Sequence, residues 1–187
     1  GDGNTLTLEG VTATDLGVTN YISEDIASFL MIDAEYFSSI PNVGSRPTTV
    51  VEQLVFDNTD DTLSGGDPTL YLPDFGASGI RVINGSNIRV EDDVWVARVS
   101  ADSTLGASYG IAVGLSSSLV STGEVVAISG ARGAVGLLGG GDTIITNDGN
   151  VYVIGYSGAE GIAFGNTSDI VATNNGTVTS WSGGNAY

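Results

Sequence analysis

Cysteine, lysine and histidine are all absent from the chain, and methionine occurs once. Without cysteine there is no disulfide framework, no thiolate zinc site and no cysteine nucleophile. Without histidine, a Ser-His-Asp triad and imidazole metal ligation are both excluded. Positive charge is confined to five arginines, Arg46, Arg81, Arg89, Arg98 and Arg132, against 22 acidic residues, for a net charge of −17. Phosphate binding rests on clustered Lys and Arg, so nucleic acid and anionic membrane surfaces are excluded as partners. No apolar run approaches the roughly 18 residues that span a bilayer, so no membrane insertion is expected. No signal peptide precedes Gly1-Asp2-Gly3-Asn4, which reads as the start of a mature or excised form.

Charged residues make up 14% of the 187 positions, well below the roughly 25% of an average soluble domain. Hydrophobic residues make up 41%, and there are 28 glycines. The polar surface must therefore come from Ser, Thr, Asn and Gly, a composition that suits strands and tight turns better than charged helices. An acid-rich, lysine-free chain of this kind points to an exported protein, extracellular or on the cell surface.

From Gly79 onward the sequence restarts with a Gly followed by an aliphatic residue, at Gly79-Ile80, Gly110-Ile111, Gly136-Leu137 and Gly161-Ile162. A second column runs through Gly123-Glu124-Val125, Gly149-Asn150-Val151 and Gly176-Thr177-Val178. Ahead of it sit Leu119-Val120, Ile144-Ile145 and Ile170-Val171. In the first unit, Ile88-Arg89-Val90 and Asp93-Val94-Trp95-Val96 take the comparable places without the Gly. Runs such as Val125-Val126-Ala127-Ile128 are too short to bury their side chains alone. Stacking one turn of chain on the next pairs each strand above and below and aligns the aliphatics inside. The turns Asn147-Asp148-Gly149-Asn150 and Asn174-Asn175-Gly176 supply residues that tolerate positive φ at corners. The expected fold is all-β, a parallel β-solenoid (β-helix) over residues 79–187. An antiparallel sandwich or jelly roll is the alternative, since its strands come at similar spacing.

Residues 1–78 do not fit the repeat and read as an N-terminal β-rich capping segment with one short helix. Thr5 to Ala13 alternates as a strand. Ser23 can cap a helix whose start is favoured by Glu24 and Asp25, with Ile26, Phe29, Leu30 and Phe37 along one side. Pro41 and Pro47 bracket a loop, Thr48 to Phe56 reads as a strand, and Asp57 to Pro68 as an acidic turn region. Leu70-Tyr71-Leu72 is the strand expected to hand the chain to the solenoid. At the other end the last unit stops at Gly183-Gly184-Asn185-Ala186-Tyr187, where the pattern asks for another restart, so an edge open to β-augmentation is expected.

Gly161-Ile162-Ala163-Phe164-Gly165-Asn166, Asp169-Ile170-Val171-Ala172-Thr173-Asn174-Asn175-Gly176-Thr177-Val178 and Gly184-Asn185-Ala186-Tyr187 together resemble the repeat of bacterial autotransporter passengers and haemagglutinin-like surface adhesins. The units at Gly110 and Gly136 are similar more loosely, and the resemblance covers roughly residues 79–187. It implies a right-handed parallel β-helix displayed outside the cell for adhesion, aggregation or assembly of a surface layer or filament. It carries no catalytic residues over, and the membrane barrel of autotransporters has no counterpart in this sequence.

The strongest cluster with metal-like chemistry is Asp57-Asn58-Thr59-Asp60-Asp61-Thr62. Its carboxylates Asp57, Asp60 and Asp61 and the Asn58 amide form a hard-oxygen set suited to calcium, the only cofactor the sequence suggests. Its spacing is not that of an EF-hand, and an exposed turn is the plainer reading. Glu91-Asp92-Asp93 is a weaker candidate of the same kind. Trp95, Tyr109, Tyr152, Tyr156, Trp181 and Tyr187 are candidates for an aromatic face towards cell-surface glycans. Arg81 and Arg89 are expected on outer sheet faces. Paired carboxylates in Asp57, Asp60 and Asp61 or in Glu91 to Asp93 would be needed for a polysaccharide-active enzyme, but no Lys stands beside them. The leading expectation is a non-enzymatic extracellular structural protein, a homo-oligomer or polymer that builds a filament, sheath or surface layer through strand edges. An adhesive, carbohydrate-binding passenger segment is the alternative.

Overall fold

The computed structural model describes residues 49–51, 53–66, 69–71, 78–98, 107–129, 132–155, 157–165 and 169–182. The strand expected over Thr5 to Ala13, the helix expected from Ser23 and the loop between Pro41 and Pro47 lie outside them. All sixteen elements among the described residues are strands. β1 (Thr49–Val51) is followed by five sets of three: β2 (Leu54–Asp57), β3 (Asp60–Leu63) and β4 (Thr69–Tyr71); β5 (Ser78–Ile83), β6 (Asn87–Val90) and β7 (Val94–Arg98); β8 (Ser108–Val113), β9 (Ser118–Ser121) and β10 (Val125–Ser129); β11 (Ala134–Gly139), β12 (Ile144–Asn147) and β13 (Val151–Gly155); β14 (Ala159–Phe164), β15 (Val171–Asn174) and β16 (Val178–Ser182).

The first strand of every set joins one sheet, in the order β14-β11-β8-β5-β2, which we call sheet B. The second strands form sheet C, β15-β12-β9-β6-β3. The third strands, with β1, form sheet A, β1-β4-β7-β10-β13-β16. Neighbours run parallel throughout. The molecule is thus a three-sided parallel β-solenoid of about four turns, and not an antiparallel sandwich. The sheets also reach ahead of Gly79, because β1 to β4 stack in register beneath the later coils. Within the stretch read as an acidic turn region, Asp60 to Leu63 is strand β3.

The restarts at Gly79, Gly110, Gly136 and Gly161 mark one physical column. Leu54, Ile80, Ile111, Leu137 and Ile162 stack on one another in sheet B. Ile80, Ile111 and Leu137 are fully buried, and each contributes about 1.5–3 kcal/mol by leaving water. Opposite them, Val94, Val125 and Val151 stack in sheet A and are equally closed. Sheet C adds Ile88, Leu119 and Ile145. This last column differs from the expected one: Ile145, not Ile144, lies on Leu119, a shift of one residue, and Ala172, not Ile170, follows it, a shift of two. The consequence is large, because a slip of one residue turns a side chain to the other face. Ile144 and Val171 point outward and are 52% and 57% exposed. The two-residue shift in the last coil has a local cause. Ile162 to Ala172 spans ten positions where Leu137 to Ile145 spans eight, so the last coil carries two extra residues at its corner.

Among the described residues other than glycine, positive φ belongs to the corner between sheets B and C, at Asn58, Asn84, Ser116, Asp142 and Asp169. A buried hydroxyl fastens three of these corners. Ser86 Oγ donates to Ile83 O at 2.6 Å, Ser117 Oγ to Leu115 O at 3.1 Å and Thr143 Oγ1 to Gly140 O at 2.9 Å. The Asn- and Gly-rich corners at 147–150 and 174–176, between sheets C and A, expected to use left-handed backbone, do not, although Gly65 in the first coil's corner between the same sheets does, with φ 76°. Their residues serve close stacking instead. Asn147 Nδ2 donates to Gly149 O and to Asn174 Oδ1 of the next coil, both at 2.8 Å. Asn174 Nδ2 repeats the first bond to Gly176 O at 2.9 Å.

Beneath Asn147 the ladder stops, because its register partner is Ser121. Asn147 Oδ1 and Ser121 Oγ are both buried without a hydrogen-bond partner among the described residues. Ser121→Asn would extend the ladder by donating to Asn147 Oδ1. It is expected to stabilise the fold by about 1 kcal/mol, read as a higher midpoint in denaturant unfolding.

Candidate functional site

Alternation decides where the acidic cluster of the first coil can act, because successive strand residues point to opposite faces. Asp57 ends β2 on the outer side, one position after the inward Phe56. Asp60 faces outward from sheet C, whereas Asp61 lies in the interior column below Ile88. The three carboxylates therefore do not converge. Among the described residues no group of three or more Asp or Glu side chains gathers at a metal position. Each has a local partner instead. Asp57 Oδ1 accepts from Asn84 Nδ2 and Asp60 Oδ1 from Asn87 Nδ2, both at 2.7 Å, and Asp61 Oδ1 accepts from the Thr62 backbone N–H at 2.7 Å. The first two bonds join one coil to the next.

The Glu91-Asp92-Asp93 corner is occupied in the same way. Glu91 Oε1 lies 2.6 Å from Arg89 Nε, Asp92 Oδ1 accepts from Gly66 N at 3.1 Å, and Asp93 Oδ1 accepts from Glu124 N at 2.7 Å. The exposed Arg89–Glu91 pair contributes little to stability. Its effect is to hold the guanidinium over the outer face of sheet C. There it borders an open cleft of ≈ 560 Å³ with Asp60, Thr62, Asn87, Ser118 and Val120. A relay crosses this cleft floor: Ser118 Oγ donates to Asn87 Oδ1 at 2.7 Å, and Asn87 donates on to Asp60. Such a row offers hydroxyl, amide and carboxylate groups to a polar ligand. It contains no aromatic ring. Of the aromatics expected on a glycan-facing surface, Trp95 and Tyr152 are buried at 2% and 5% exposure; Tyr156 and Tyr187 lie outside the described residues.

A second surface is the edge of the last coil. β14, β15 and β16 each end their sheet and pair on one side only among the described residues. Interior columns that are closed one coil earlier open here. Val178 is 38% exposed where its partner Val151 is fully buried, and Ala172 is exposed above the buried Ile145. Phe164, stacked over Gly139, is 41% exposed. The geometry offers three rows of parallel-strand donors and acceptors around an apolar centre. The sequence anticipated an open edge at the last unit but neither the residues exposed there nor the cleft, because both depend on which residue of each pair turns inward.

Protein-family models, curated proteins and solved structures give no match to the chain. The similarity to autotransporter passengers and surface adhesins thus reduces to what the fold itself carries, a repeating parallel β-helix.

Proposed function

We propose that the protein is a non-enzymatic structural subunit, displayed outside the cell, that self-associates through its strand edges into a filament, sheath or surface layer. What supports this reading is the edge of the last described coil, where interior residues Ala172 and Val178 are open to solvent and β14, β15 and β16 pair on one side only among the described residues. Such an edge accepts a further parallel coil by β-augmentation. A second copy can supply one from the first coil, whose β2 and β3 end their sheets at the opposite end among the described residues. A contact between two different ends is heterologous, so it propagates instead of closing into a dimer. The high net charge of −17 then sets a salt dependence, since like charges must be screened before coils approach.

The test is sedimentation velocity over a wide concentration range. The wild-type chain is expected to grow with concentration and with added salt. Ala172→Lys places a charge on the axis of the open end, where a following coil would bury it. It is expected to weaken association at least about tenfold, or 1.4 kcal/mol, with the unfolding midpoint little changed because Ala172 is exposed in the single chain. A wild-type chain that stays monomeric throughout removes the reading.

The cleft over Asp60, Asn87 and Ser118 favours an adhesive role as the second reading, with a cell-surface glycan as partner held by hydrogen bonds alone. Asn87→Leu is expected to abolish any such binding, and an unaffected glycan-array profile counts against it.

A further inference from the structure

Sheet B gives Ile80, Val82, Ile111, Val113, Ala134 and Leu137 to the interior cluster, so alternation sends the residues between them outward. One outward row is Arg81, Ala112, Leu138 and Ala163. A second, three residues earlier, is Tyr109, Val135 and Glu160. Charge on this face is sparse. Arg81 and Glu160 are both exposed, and neither side chain has an ion pair or hydrogen bond among the described residues. Asp57, at the rim, is taken up by Asn84 Nδ2 at 2.7 Å. The other described carboxylates lie at corners or on sheet C. On a chain of net charge −17, this is the face where one unpaired cation is matched by one unpaired anion.

Their placement is what selects a partner. Arg81 on β5 and Glu160 on β14 are three strands apart, about 14 Å. They are also three residues apart along the strand direction, about 10 Å. The midpoint falls among Tyr109, Ala112, Val135 and Leu138, all buried or half-buried. We propose that this face is the contact with a second copy of the chain, packed about a twofold axis through that midpoint. A twofold contact uses the same patch on both copies, so pairing one Arg81 with the second copy's Glu160 pairs the reverse as well. That reciprocity fixes the axis, which lies in the contact plane across the Arg81–Glu160 line and passes over Tyr109 and Leu138. Each of these two then meets its own counterpart, and an ion pair flanks the apolar centre on either side. The strands of the two copies cross at about 70°, near the orthogonal class of sheet packing. Five strands by six residues give a face of about 24 by 20 Å, so two copies bury roughly 1,000 Å², the lower end for a specific interface. The dimer is therefore weak and reversible. It is also separate from end-to-end growth, which uses strand edges and not a sheet face.

Ala172→Lys, which opposes end-to-end growth, supplies the background for the test. In it, sedimentation equilibrium up to millimolar concentration is expected to show a monomer–dimer equilibrium. Arg81→Glu alone and Glu160→Arg alone are each expected to weaken the dimer at least about tenfold, and the two together to restore it to within about threefold. The absence of cysteine provides a second readout. Leu138→Cys is expected to give a disulfide-linked dimer on oxidation, whereas Ile144→Cys, 52% exposed on the outer face of sheet C, is not. A background chain that stays monomeric overturns the proposal, as does a dimer that ignores the single reversals or is not restored by combining them. Either result leaves the end-to-end reading standing, because that reading rests on growth of the wild-type chain.

Discussion

Gly149→Ala is expected to destabilise the protein by about 3 kcal/mol, measured as a fall in the denaturant midpoint without a change in slope. The reason is distance between coils. A Cβ at Gly149 would stand 2.0 Å from Gly123 O, 2.8 Å from Thr122 O and 2.9 Å from Gly123 C. All three atoms are backbone of the coil beneath, so no side chain can swing aside. The corner is tied down on that side as well: Asp148 N and Gly149 N both donate to Ser121 O, at 2.8 and 3.3 Å. Relief therefore requires parting two coils and stretching these bonds. Gly85→Ala is the informative contrast. It has a φ of +80° and no atom nearer than 3.9 Å to an added Cβ. Its cost is backbone strain alone, about 1–2 kcal/mol. The two glycines serve different ends, and the larger effect belongs to the one with ordinary backbone angles.

That difference also shows why the repeat was legible and some of its meaning was not. Glycines set by contact between coils recur from the third coil onward, so Gly123, Gly149 and Gly176 make a visible column. The interior aliphatics Ile80, Ile111 and Leu137 recur in the same way. What the pattern hid was the first coil. There Gln53 stands where later coils have Gly, bonding through Nε2 to Ser78 O at 2.7 Å, and Asp61 stands in an interior column. With both landmarks replaced, Leu54-Val55-Phe56 was the remaining signal, 26 positions before Ile80-Arg81-Val82 and in register with it.

The arrangement of the acidic residues was hidden for a related reason. Asp57, Asp60 and Asp61 are close in sequence, but a strand separates adjacent carboxylates onto opposite faces, which composition does not reveal. Sheet A carried a signal that alternation alone passes over. Val125-Val126-Ala127-Ile128 and Val151-Tyr152-Val153-Ile154 are continuous apolar runs, the mark of strands buried on both faces. Runs of that kind imply by themselves a cover outside the solenoid.

The polar corner gives the other large effect. Asn147 is fully buried, and its amide donates twice, to Gly149 O within its corner and to Asn174 Oδ1 in the next coil. Asn147→Ala removes both bonds and leaves two acceptors short of a donor, for an expected loss of about 2–3 kcal/mol. Asn147→Asp separates the hydrogen bonds from packing, because the shape is kept and the donors are removed. At neutral pH a carboxylate there would face the Gly149 and Asn174 oxygens, acceptors that repel it, and the expected cost exceeds about 3 kcal/mol. The sign of its pH dependence follows. Burial against acceptors raises the carboxyl pKa in the folded state, so folding favours the protonated form, which can still donate once. The variant should come closest to wild type below the ordinary aspartate value of about 3.9 and lose stability as pH rises through the raised folded value. An Asn147→Asp protein whose deficit relative to wild type stays constant from acid to neutral pH would mean that the corner is held by stacking alone and that the amide ladder is a passenger on it.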